Sequence, residues 1–305
     1  MPNINIDDAY ILDNTGKQVD DAVDYGLFNS NPNLLDNAYF VGGGSQLGDG
    51  IFPINQRGQT SYNGGITVFD RWTVDGGDFT ATLESGGVRV TSTTPYAGLS
   101  QILPAYKLQN GETYTYSIVV DGVLHTVTFV ANSDGNWANI YYGEDWYVPY
   151  QFINGKWTFK IINTLTSNGM NHLISKAKIE KGTVSTLAND VPPDFGEELR
   201  KCQRYLWIKT FSGNTQLGSG VALTADQAVV SVITPVPMRT VQNITFTANV
   251  LLIGNGQVLI ASAVTDINQY DNIARLILSS SGLTAYQTYS FLTTTETTMT
   301  IYAEL

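Results

Sequence analysis

The stretch "FGEELRKCQRYL", Phe195 to Leu206, decides how the chain is divided. It follows "LANDVPP", where Pro192-Pro193 stops any regular element, and Asp194 then stands in the N-cap position with Glu197 three residues on. That spacing is a capping box, in which the cap side chain and the later carboxylate satisfy orphan backbone N–H groups. Glu197 and Glu198 fall in the first turn and Arg200, Lys201 and Arg204 toward the end, matching the helix dipole. The pattern predicts a short helix. Its apolar positions, Phe195, Leu199, Cys202 and Leu206, form an a/d seam little more than one heptad long. A free-standing coiled coil needs about 3–4 heptads, so flanking domains must support this one. Residues 189–208 therefore read as a linker and an oligomer neck between two domains.

Both flanks read as β. Before the helix, "GITVFDRWTV", "DFTATLES", "GVRVTSTT", "TYTYSIVVDG", "LHTVTFVA" and "KWTFKIINT" alternate or run apolar at strand length, with "DGG", "SGG", "QNGE" and "NGK" as turn signals between them. "VDGVLHTVTF" predicts a hairpin with Asp121-Gly122 at its turn. Strands at this spacing over residues 33–188 suggest a two-sheet sandwich of jelly-roll type. After the helix, "AVVSVITPVPM", "NITFTANVLL", "GQVLIASAV", "ARLILSSSG", "LTAYQTYSFL" and "TMTIYAEL" predict a smaller C-terminal β-sandwich over residues 209–305. The fold class is mainly β, two sandwiches joined by one helix.

Residues 1–32 differ. Asp7, Asp8, Asp13, Asp20, Asp21 and Asp24 face Lys17 alone, and Val19, Ala22, Val23 and Leu27 share one helical face. A stripe that short is marginal by itself and needs a host surface or copies of itself. A frayed tail is the plainer reading. "MPNINIDDAY" is polar and acidic, unlike a secretory leader, and no apolar run approaches the ~20 residues of a spanning helix. The expectation is synthesis in the cytoplasm, no membrane insertion, and any exit by a route such as lysis.

Composition excludes several classes of function. Charged residues make up 14% of the chain, against roughly 25% in an average globular protein. The net charge of −11 repels phosphate backbones and anionic lipid, so nucleic acid is not an expected partner. Cys202 is the single cysteine and His125 and His172 the two histidines, which leaves no disulfide and little for a His- or Cys-based metal site or nucleophile.

"NLLDNAYF" (Asn33 to Phe40), "INQRGQTSY" (Ile54 to Tyr62) and "FDRWTV" (Phe69 to Val74) resemble a module of fibre-like virion proteins of bacteriophages and prophages. In that family the domain closes on a strand like "AKIEKGT" (Ala177 to Thr183), followed by a Pro-containing linker and a helix like "EELRKCQRYL". "PVPMRTVQNITF" (Pro235 to Phe246) and the terminal "AEL" likewise resemble tail-fibre C-terminal domains. The resemblance spans residues 33–305. It implies a carbohydrate-binding-like jelly roll and a small β-domain assembled as a homotrimer on a virion, at the tail or the head. Residues 1–30 would contact other virion proteins. No catalytic residue is carried over. The expected function is attachment to host surface glycan or protein. The rivals are a purely structural capsid-decoration or head-fibre role, and a polysaccharide depolymerase.

The run "GNWANIYYGEDWYVPYQF", Gly135 to Phe152, supplies the candidate glycan residues Tyr141, Tyr142, Glu144, Asp145, Trp146 and Tyr147. Sugar rings stack their C–H faces on aromatics, and carboxylates accept hydroxyl hydrogen bonds. The same rings serve equally well in a core or a subunit interface, where Tyr and Trp are enriched. If the run were one strand, Tyr142, Trp146 and Tyr150 would share a face, or Tyr141 and Tyr147, unless a loop at Gly143 intervened. Trp72 and Trp157 sit in strand patterns and read as core. A glycosidase needs two carboxylates about 5–10 Å apart. Adjacent Glu144 and Asp145 would diverge on a strand, and nothing in the spacing selects Glu84, Glu112 or Asp78 as a partner. Cofactors are expected to be none. "NSDGNW" (Asn132 to Trp137) and "LGDG" (Leu47 to Gly50) lack EF-hand spacing, so they offer at most a structural Ca²⁺.

Overall fold

In the computed structural model the described residues are 31–42, 52–64, 67–166, 169–239, 243–261, 263–270 and 273–303. The expected anchor over residues 1–30 and the Leu47–Gly50 loop lie outside them. The chain is mainly β. Every pairing between its named strands is antiparallel, and the described residues contain one α-helix.

The first sandwich has eleven strands: β1 (Ser61–Asn63), β2 (Thr73–Asp75), β3 (Thr80–Glu84), β4 (Gly87–Ser92), β5 (Gly98–Pro104), β6 (Thr113–Val120), β7 (Val123–Val130), β8 (Ala138–Tyr142), β9 (Trp146–Ile153), β10 (Lys156–Thr164) and β11 (Met170–Lys181). They form a six-stranded sheet, β1-β3-β4-β11-β6-β7, and a five-stranded sheet, β2-β5-β10-β9-β8. The last strand in sequence, β11, lies in the middle of the larger sheet, between β4 and β6. Asp121-Gly122 turns β6 into β7 with both residues at positive φ, 50° and 80°, as a type I′ turn requires. Asn154-Gly155 does the same between β9 and β10. The core between the sheets is aromatic, with Trp72, Trp157, Phe69, Phe79, Phe159 and Tyr116 almost wholly inaccessible.

The helix α1 (Phe195–Gln203) begins as its cap predicts: the Asp194 carboxylate accepts the Glu197 N–H at 2.8 Å. Its apolar face is covered within the chain. The Phe195 ring meets Phe52 edge-on with centroids 5.8 Å apart, and Cys202 is 0% exposed against Phe52 and Ile54. Leu199 is partly buried on the same cluster. Glu198 enters the first sandwich, where its carboxylate takes the Asn37 N–H and the Lys201 ammonium. The helix ends at Gln203, and the β-favouring run "LWIKTF" starts a strand, so Leu206 is a fully buried strand residue and no part of a helical seam. Of the expected neck residues Phe195, Leu199, Cys202 and Leu206, the last is thus corrected to a strand residue, and Phe195 and Leu199 stay partly buried. Cys202 and Leu206 are consumed inside one chain and have no surface to offer another.

The second sandwich pairs β12 (Leu206–Phe211), β15 (Asn243–Phe246) and β21 (Thr297–Tyr302) in the order β12-β21-β15. Opposite stand β13 (Gln216–Ala222), β14 (Gln227–Ile233), β16 (Val250–Gly254), β17 (Gln257–Ala261), β18 (Ala263–Tyr270), β19 (Ile273–Ser279) and β20 (Thr288–Thr293), ordered β17-β16-β20-β13-β14-β19-β18. Alternation along β14 and β20 sends Ala228, Val230, Val232, Tyr289 and Phe291 into the core.

The two sandwiches meet through polar groups beside α1. Gln56, on a loop of the first sandwich, bonds both the Leu206 carbonyl and the Ile208 N–H along the free edge of β12. The Arg71 guanidinium lies 3.5 Å over the Tyr205 ring while its Nε donates to Asp36 at 3.2 Å. Burial raises the Asp36 pKa, but Arg71 and Lys107 outweigh it and hold the carboxyl below its usual range.

Candidate functional site: the outer face of the five-stranded sheet

The aromatic run is a hairpin and not one strand. β8 ends at Tyr142, Gly143 to Asp145 turn the chain, and β9 starts at Trp146. The turn closes with the Gly143 N–H donating to the Trp146 carbonyl at 2.7 Å. Glycine is needed there because a Cβ at 143 would stand 2.8 Å from Nε1 of the Trp146 ring tucked beneath it. Cross-strand pairing then resets the alternation, with Tyr142 opposite Tyr147 and Tyr141 opposite Val148.

Two layers of rings result. On the inner side Tyr141 stacks on Trp146 at 4.8 Å, His125 of β7 meets Trp146 edge-on at 5.4 Å, and His125 Nδ1 lies 2.8 Å from the Tyr141 hydroxyl. This layer closes the gap between edge strands β7 and β8. Burial there, with a smaller contribution from His172, lowers the His125 pKa. On the outer side Tyr142 and Tyr147 lie parallel at 6.0 Å, with an interplanar angle of 15°. Tyr142 is 59% exposed and Trp137 49%, whereas Trp146 is 4% and Tyr147 8% exposed. Of the rings expected to be exposed for stacking, Trp146 and Tyr147 are therefore buried and Tyr141 packs on the core, which leaves Tyr142 exposed over Tyr147.

Polar groups frame the outer rings. Asn139 Nδ2 donates to the Tyr142 hydroxyl at 2.7 Å. Lys160 of β10 reaches its ammonium to Asp75 of β2 at 2.6 Å and holds it 5.3 Å from the Trp137 ring centroid, within cation–π range. With its amide nitrogen donating to the Tyr96 and Ala97 carbonyls at 2.9 and 3.0 Å, Asn163 accepts the Tyr147 hydroxyl at 2.5 Å. Desolvation pushes the Tyr147 phenol pKa up, more than the Asn163 bond pulls it down. Such a face can stack an apolar ring surface and exchange hydrogen bonds with hydroxyl groups around it. Lys160 and Asp75 were missed in the sequence, although the alternation Lys156, Thr158, Lys160 against Trp157, Phe159 carried the signal for Lys160.

The carboxylates separate. Glu144 is exposed on the turn, whereas Asp145 is bound by the His172 ring at 2.9 and 3.1 Å, which takes it off the aromatic face as a hydroxyl acceptor. Glu84 pairs with Arg89 at 2.8 Å and Glu112 with Lys181 at 3.0 Å. Asp78 accepts from Ser92 at 2.6 Å and from the Thr94 N–H at 3.0 Å, which with Thr93 lowers its pKa strongly. In the Asn132–Trp137 loop the Asp134 carboxylate accepts the Asn136 N–H at 2.8 Å. Among the described residues no three His, Cys, Asp or Glu side chains gather as a metal site, and no helix is long and apolar enough to cross a membrane. Comparison with protein-family models, with curated proteins and with solved structures finds no match to this chain.

Proposed function

We propose that the chain is a structural fibre protein of a bacteriophage or prophage virion, and that it attaches to the host surface through glycan bound on the outer face of the five-stranded sheet. The observation that carries the glycan reading is the pair of exposed rings, Tyr142 and Trp137, framed by Asn139, Lys160 and Asp75 on regular strands. Tyr142 stands on β8 and Trp137 on the loop residue just before it, so a ligand that docks there orders little backbone. The virion context rests on the resemblance of residues 33–305, with sandwich, capped helix and sandwich in that order.

Assembly as a homotrimer is part of the proposal, but with its contacts away from α1. The exposed Val258, Ile260 and Ile233 on strands of the seven-stranded sheet support association there. The deciding experiment is binding to host-surface polysaccharide by the wild type and by Tyr142→Ala and Trp137→Ala. Each ring is worth about 1 kcal/mol, so each variant is expected to bind several-fold more weakly with an unchanged melting curve. Undiminished binding by the double variant would remove this face from the proposal.

A further inference from the structure

We propose that His172 is a pH-operated pin that fastens the β8–β9 turn of one sheet to β11 of the other, and so sets the position of the Tyr142–Tyr147 pair. Its Nδ1 lies 2.6 Å from Asp121 Oδ2, at the β6–β7 turn, and its Nε2 lies 2.9 Å from Asp145 Oδ1, in the β8–β9 turn. Both ring nitrogens thus face carboxylate oxygens, which only accept. A neutral imidazole has one N–H and one lone pair, so only the doubly protonated ring satisfies both contacts. Asp121 has a second anchor, the Leu173 N–H at 2.8 Å. Loss of a proton therefore leaves Nε2 bare toward Asp145, and the turn loses its side-chain pin while keeping its backbone bonds, among them the Leu165 N–H on the Asp145 carbonyl at 2.8 Å.

The surrounding charges act on this pair from every side. Arg89 of β4, itself bound to Glu84, contributes a positive field at Asp121. His125 of β7 couples weakly to the ring. Asp78 lines the same shallow groove as Asp145 and Asn171. Burial alone would discharge His172, but Asp121 and Asp145 outweigh it and raise its pKa above the ordinary 6.5.

The test is an NMR titration of the full chain between about pH 5 and pH 9, either side of the ordinary histidine range. The His172 ring and the Gly143 amide, which closes the turn, are expected to shift with one shared midpoint above 6.5. Asp145→Asn should lower the ring midpoint, and His172→Gln should leave Gly143 without a titration step. A His172 midpoint at or below 6.5, or a Gly143 amide that does not follow it, overturns the pin. An effect on ligand rests on the glycan reading above. Wild-type protein that binds no polysaccharide on either side of the midpoint counts against that reading alone, because the pin is judged by the two NMR signals.

Discussion

Gln56 donates its side-chain amide to the carbonyl of Leu206 at 2.7 Å, although 150 residues separate them. The same amide oxygen accepts the Ile208 N–H at 3.3 Å, so one side chain occupies the place of a neighbouring strand along β12. The remaining amide hydrogen goes to the buried carboxylate of Asp70 at 2.6 Å.

Replacing Gln56 with Ala removes three contacts at a buried junction. The expected cost is about 1–3 kcal/mol, the range for buried polar groups that lose a partner. Because the bonds join two sandwiches, differential scanning calorimetry should show their unfolding further apart in temperature than in the wild type. A variant that melts as the wild type does would mean the junction is held by the α1 contacts and the Arg71–Tyr205 stack without Gln56.

Trp146→Ala and Tyr142→Ala should behave oppositely. Trp146 is 4% exposed and stacked on Tyr141, so its loss should cost about 3–5 kcal/mol and lower the melting temperature sharply. Tyr142, mostly exposed, should change stability by less than about 0.5 kcal/mol. Thermal melts of the two variants check both statements.

Cys202 should be silent toward thiol reagents in the native protein. Burial pushes its thiol pKa well up, and thiolate is the reactive form. Alkylation is expected only on unfolding, with a rate that follows denaturant. Leu199→Asp should lower the melting temperature, since Leu199 packs on the Phe52 cluster, and should leave the light-scattering mass as it is in the wild type.

His172 also makes a stability prediction whose sign is set by its raised pKa. A group that binds its proton more tightly when folded contributes fully below its unfolded value, near 6.5, and loses that contribution as pH rises through the folded value. Wild type should therefore lose stability on that alkaline side relative to His172→Gln. Urea midpoints measured across neutral pH would reveal the difference. At the acid end Asp36 acts the other way: its lowered pKa adds stability above about 3.9 that is lost as pH falls through the folded value.

Local chemistry was legible in the sequence wherever it was self-contained. The Asp194–Glu197 cap, the Asp121-Gly122 hairpin and the burial of Trp157 on β10 all depend on neighbours in the chain or on simple alternation, whereas Trp72 is buried as expected but stands just before β2. The facing of Tyr142, Trp146 and Tyr147 was not legible, because a three-residue turn resets strand parity and its length cannot be read from ring content. The helical seam misled for a related reason. Periodicity shows that Phe195, Leu199 and Cys202 need a cover, but not that the cover is Phe52 and Ile54 of the same chain. Gln56 carried no pattern at all, since its role exists only where two distant segments meet.

The place of β11 bears on how the molecule is made. The hairpins β3–β4 and β6–β7 are complete early in synthesis, yet the strand that joins them, Met170–Lys181, leaves the ribosome last of the sandwich. At roughly 5–20 residues per second, the chain spends seconds with two open sheet edges that await a common neighbour. Open edges such as those can pair with the wrong strand, including one from an adjacent nascent chain. Slow release of residues 170–181 should therefore lower the yield of native protein.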